Sequence, residues 1–138
     1  MVEAGGVAVH GAFVTVPAGG TAALYLRAVD VDGEGDRLLG AGCGEARQVM
    51  LHRTLHEGGR VSMAPVENGI AVAAGGEARL APGGDHVMLM GLERALSPGD
   101  LLEVELRFER AGALSLRVPV VAWEDVEALT APDHGGHH

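Results

Sequence analysis

In the stretch GGDHVMLMGL, residues 83–92, His86, Met88 and Met90 occupy alternate positions of a short apolar run. Side chains two residues apart on a strand share a face, so these three point together, and Met50 and His52 do the same. Met63 lies on the next apolar run, after the turn EGG, and a hairpin from 46–55 to 60–66 brings it close to His52. The run that begins at His86 follows the turn PGG, which places two His and two Met at one rim of a barrel. Thioether sulfur is a soft, neutral ligand and imidazole a borderline one, a pairing suited to Cu(I). A thioether binds without losing a proton and is not consumed by disulfide formation, so such a site suits an oxidising compartment. The competing reading makes Met50, Met63, Met88 and Met90 flexible fillers of core gaps. The pattern alone leaves both open.

The elements that must position these residues are strands. Nine segments read that way: 7–16, 21–29, 46–55, 60–66, 69–73, 77–81, 86–92, 101–110 and 113–121. Turn clusters such as PAGG, DGEGD, ENG, PGG and SPGD bound them. The run LEVELRF sets Leu102, Val104, Leu106 and Phe108 on one face and Glu103, Glu105 and Arg107 on the other. Short strands at this spacing predict an all-β, antiparallel sandwich or barrel. The β pattern stops at residue 123. A single β domain over 1–122 and a C-terminal extension over 123–138 are therefore expected, with a helical turn at 123–130 and a loose tail after it. That tail carries His134, His137 and His138, which read either as a purification remnant or as an accessory metal site for Cu(II).

Composition narrows the function classes. At 138 residues the chain is one domain with room for a core, and with 47% hydrophobic but only 3% aromatic residues that core must be Val, Leu and Ala. The net charge is −9, and all ten basic residues are Arg. Nucleic acid needs a cationic surface and is not an expected partner. Cys43 is the single cysteine, so no intramolecular disulfide forms. No run of 18 apolar residues and no signal-peptide pattern is present, so an export signal or anchor, if the protein has one, belongs to a longer precursor.

The stretches HRTLHEGGRVSM and APGGDHVMLMGLERALSPGDLLEVELRFERAG resemble the PCu(A)C family of periplasmic copper chaperones. The family signature is His, ten residues, Met, about twenty-one residues, then His-x-Met. Here His52 and Met63 enclose ten residues, and twenty-two more lead to His86, Val87 and Met88. DRLLGA (36–41) and ALYL (23–26) match as well, so the resemblance spans about residues 20 to 122. It implies a cupredoxin-like β-barrel of Greek-key type without enzymatic activity. It also implies one Cu(I) held by His52, Met63, His86 and Met88, with Met50 and Met90 in supporting or core positions. The implied task is copper delivery in the periplasm, by a monomer, to the dinuclear copper centre of cytochrome c oxidase subunit II, alongside a thioredoxin-like copper chaperone. The early segment VHGAFVTVPAGGT and the loop RAVDVDGEGD depart from the family pattern, which bears on partner contacts more than on the metal site.

Three rival readings have weaker support. A blue-copper electron carrier needs a Cys thiolate crowded into one late loop with a His and a Met, whereas Cys43 precedes His52 by nine positions. A zinc hydrolase could start from His52 and His56, but Arg53 stands where the general base belongs, and on a strand these residues are about 13 Å apart. A structural or adhesive sandwich leaves the clustering of Met and His unexplained. His10 reads as an ordinary strand residue, and Asp30, Asp32, Glu34 and Asp36 as a solvated turn.

Overall fold

The computed structural model describes residues 2–15, 20–66, 68–82, 84–93 and 96–122. Eleven strands run β1 (Val2–Ala4), β2 (Val7–Thr15), β3 (Thr21–Asp30), β4 (Asp36–Gly42), β5 (Ala46–Glu57), β6 (Arg60–Pro65), β7 (Ile70–Val72), β8 (Glu77–Leu80), β9 (Asp85–Leu92), β10 (Leu101–Phe108) and β11 (Gly112–Val121). They form a curled sheet in the order β6-β5-β9-β8-β3-β2-β11-β10-β4-β7, with β1 beside β2 and β9 also touching β3. The described residues contain no helix. The expected helical turn and His-bearing tail at 123–138 lie outside the described residues.

Period-two patterning explains how the sheet closes on itself. Leu102, Val104, Leu106 and Phe108 of β10, with Leu114, Leu116, Val118 and Val120 of β11, are buried on the inner face. They meet Val7, Val9, Val14, Leu24, Leu26, Leu51, Leu80, Val87 and Leu89 from the other half in one continuous cluster. As the composition requires, Val, Leu and Ala dominate it, and among the described residues Phe108 is its one aromatic.

The architecture departs from the simplest reading in two respects. First, β11 pairs with β2, and β8 with β9, in parallel, while the remaining pairings are antiparallel. Second, β1 and β4 add to the nine expected strands. β4 hides from pattern reading because its pairing with β10 slips between Arg107 and Phe108, so its buried residues Leu38 and Ala41 are three apart instead of two.

A second irregularity shapes the outer face. The pairing of β2 with β3 shifts between His10 and Phe13, where Gly11 adopts φ +61°. Before the shift the inward residues are Val7 and Val9, and after it Val14. The bulge therefore turns Phe13 outward, onto the face opposite the main core. There Phe13 joins Ala23 and Tyr25 in a small separate cluster, against which Met88 and Val121 pack.

Candidate metal centre

The antiparallel pairing of β5 with β9 sets His52 opposite His86, Met50 opposite Met88 and Gln48 opposite Met90. The intervening Leu51, Val87 and Leu89 point into the main core. By alternation, the side chains of Met50, His52, His86, Met88 and Met90 lie on the outer face. Across the β5–β6 hairpin Met63 is opposite Thr54, and His52 is opposite Pro65. Met63 is thus the diagonal neighbour of His52 on the same face, about 7–8 Å away backbone to backbone. The turn sets this register: Gly58 and Gly59 take φ +57° and +80°, the two left-handed residues that a type I′ hairpin requires. All four residues of the expected set come to one patch. It lies on the outside of the sheet, with β6 as the terminal strand.

The imidazoles of His52 and His86 meet edge to face, with ring centroids 5.9 Å apart and an interplanar angle of 80°. His86 is 2% exposed although it is on the outer face, because Tyr25 covers it at 6.1 Å between centroids. Phe13 buttresses Tyr25 at 5.4 Å. Nδ1 of His86 lies 3.2 Å from the carbonyl oxygen of Gly84. A proton on Nδ1 donates to that carbonyl and leaves the Nε2 lone pair free, the usual way a ligating imidazole is oriented. Nε2 of His86 and Nδ1 of His52 are both buried without a hydrogen-bond partner among the described residues. Buried nitrogens left unpaired are costly and uncommon, so two on facing rings call for an explanation.

A soft cation supplies one. With about 2 Å from metal to each nitrogen, two imidazoles sharing an ion hold their centroids no more than about 6.4 Å apart. The observed spacing fits. Met88 is half-buried beside the pair, and Met63 is 56% exposed at the outer edge. Among the described residues no group of three His, Cys, Asp or Glu is placed to hold a metal. Cys43 packs against the main core, on the other face from the imidazoles. His10 pairs with Arg27 on β2–β3, apart from the centre.

A family profile described as "Putative lipoprotein LpqE-like" matches residues 7–120. The chain belongs to the LpqE-like family. A relative from Leifsonia xyli subsp. xyli, "Putative lipoprotein Lxx21020", is 33% identical over 118 residues, covering 86% of this chain and 71% of that one. Among solved structures, the copper-bound PCuAC domain from PmoF2 superposes with a TM-score of 0.71 at 27% identity, covering 87% of this chain and 96% of that domain. The Cu(I) form of DR1885 from Deinococcus radiodurans gives a TM-score of 0.62 at 27% identity, with 92% and 83% covered. This LpqE-like protein therefore has the cupredoxin-like PCuAC fold that its motif implies.

Sequence reasoning missed Phe13 and Tyr25. The available signal was scarcity: the chain has two Phe, one Tyr and one Trp, and of these four aromatics Tyr25 sits against His86 with Phe13 behind it. Burial, and to a smaller degree the neighbouring His86, pushes the pKa of His52 below the usual histidine range. Above about pH 6.5, the ordinary histidine value, the ring is neutral folded or unfolded and contributes no pH dependence. Below it the unfolded chain takes up a proton that the folded LpqE-like protein resists, so stability of the copper-free protein is expected to fall with acidification. Urea unfolding between pH 8 and 5 measures this. An acid slope left unchanged by His52→Gln would assign it to other groups.

Proposed function

We propose that this protein is an extracytoplasmic Cu(I) chaperone whose ion is held by His52, Met63, His86 and Met88. One observation carries the reading: two facing imidazoles, each with a buried nitrogen lacking a hydrogen-bond partner among the described residues, at ligand-sharing distance. Copper-bound relatives on the same fold and the lipoprotein descriptions of its family support the cargo and the compartment. We assign delivery to the dinuclear copper centre of cytochrome c oxidase subunit II, with a thioredoxin-like copper chaperone as partner.

Exposure differs along the ligand set, and that difference suggests an order of release. Met63 is exposed on the terminal strand, whereas His86 is sealed beneath Tyr25. An acceptor thiolate reaches the ion from the Met63 side and displaces that neutral thioether first, while the imidazoles hold on until further donors arrive. Copper passes between protein donors without becoming a free ion.

The test is an anaerobic Cu(I) titration against a competing chromophoric chelator, with the chain truncated after Asp133 to remove the tail histidines. One tight equivalent is expected. Its absence would favour a structural or adhesive sandwich. Mixing the loaded protein with a reduced subunit II copper domain then tests delivery, and transfer no faster than spontaneous dissociation would reject ligand exchange.

A further inference from the structure

The methionines that the proposed ligand set leaves over do not behave as core residues. Met50 and Met90 are half-buried, yet neither is among the residues packed against the main core or the Phe13–Tyr25 cluster. Both face outward with Met88: Met50 directly opposite it, and Met90 two positions further along β9. A directly opposed pair has Cβ atoms about 5 Å apart, and the diagonal neighbour is about 7–8 Å away. Methionine has three rotatable bonds beyond its backbone, enough for three such sulfurs to turn toward one point. The other side chains paired directly opposite them are Gln48 and Thr21 at Met90, neutral and hard, and Ala23 at Met88, which offers no donor. That environment offers little to Zn(II), Mg(II) or Ca(II) and three donors to a soft monovalent ion.

We infer that Met50, Met88 and Met90 form a second, weaker soft-cation site, a thioether landing position for Cu(I) adjoining the two-His, two-Met centre. The inference rests on the proposed copper reading of that centre and extends it, because Met88 belongs to both donor sets. Same-face neighbours on a strand are about 7 Å apart, so the two positions are one rung from each other. An ion moves inward as Met50 and Met90 release it and His52, His86 and Met63 bind it, with Met88 attached throughout. Copper remains Cu(I), and the bonds that form to His52, His86 and Met63 replace the two that break to Met50 and Met90, taking the ion from three donors to four. No proton or electron is transferred.

The probe is Ag(I), soft, monovalent and inert to air, followed by the methionine methyl signals of protein labelled with 13C at those methyls. Single Met50→Leu and Met90→Leu variants assign the resonances. The first equivalent is expected to move Met63 and Met88. Excess silver should then move Met50 and Met90, with the Met88 sulfur serving both ions through its second lone pair, half-saturating at a concentration at least about tenfold higher, a difference of about 1.4 kcal/mol. In the His52→Ala/His86→Ala protein, Met50, Met88 and Met90 should respond together. Met50 and Met90 signals that stay fixed in excess silver overturn the second site, even where Met63 and Met88 respond and the chaperone reading stands. A first equivalent that moves Met50 and Met90 but not Met63 supports the thioether site and instead removes the four-residue centre. The wild-type titration decides the matter if the double variant does not fold.

Discussion

Replacing His86 by phenylalanine is expected to abolish tight Cu(I) binding while leaving the copper-free protein as stable as before, or more so. The ring is almost completely buried, so its surroundings accept a planar side chain of similar size. Phenylalanine keeps the packing against Tyr25 and the edge-to-face contact with His52. It removes a buried nitrogen that has no partner, a defect of about 1–3 kcal/mol, at the loss of one ordinary bond from Nδ1 to the Gly84 carbonyl. Affinity should fall by more than the roughly 10–100-fold that follows loss of a group merely supporting a ligand. Function and stability then move in opposite directions, as expected where a site has been kept polar for a purpose. Thermal unfolding and chelator competition on the same sample provide the measurement. A marked loss of apo stability would show that the nitrogen is structurally satisfied, and retained tight binding would place copper elsewhere.

Much of this was legible because the relevant pattern is local. On β10 a clean alternation identifies the strand and its buried face without further information. The pairing of Met50 with His52, and of His86 with Met88, follows from strand period alone. What the sequence could not convey was non-local register. That His52 faces His86, and not the residue before or after it, depends on pairing across thirty-odd residues of intervening chain. Nor does any local pattern announce that Tyr25 covers His86, since this requires β3 to pair with β9 and Gly11 to turn Phe13 outward. The same logic explains β4, where one bulge put Leu38 and Ala41 out of phase. A bulge erases the very periodicity by which a strand is recognised. The expected barrel rim became an outer sheet face for a related reason: alternation tells which residues share a side, not which side is covered.

Met63→Leu should separate binding from folding more cleanly than any other change. Met63 is 56% exposed on a terminal strand and packs against neither hydrophobic cluster. A surface substitution of this kind shifts stability by no more than about 0.5 kcal/mol, so the copper-free variant should unfold at the wild-type urea midpoint. Leucine keeps the bulk and removes the sulfur. If Met63 is a ligand, Cu(I) affinity falls by on the order of a hundredfold, which is about 2.7 kcal/mol. The loss should also appear in thermal protection. A ligand at a thousand times its Kd stabilises the folded state by about 4.1 kcal/mol. At the same free copper concentration the variant would hold the ion at only about ten times its Kd, and most of that gain would vanish. Equal copper protection in both proteins would mean that the two imidazoles and Met88 suffice. The exposed edge would then be no more than the place where an acceptor approaches, and the order of release would have to begin at Met88.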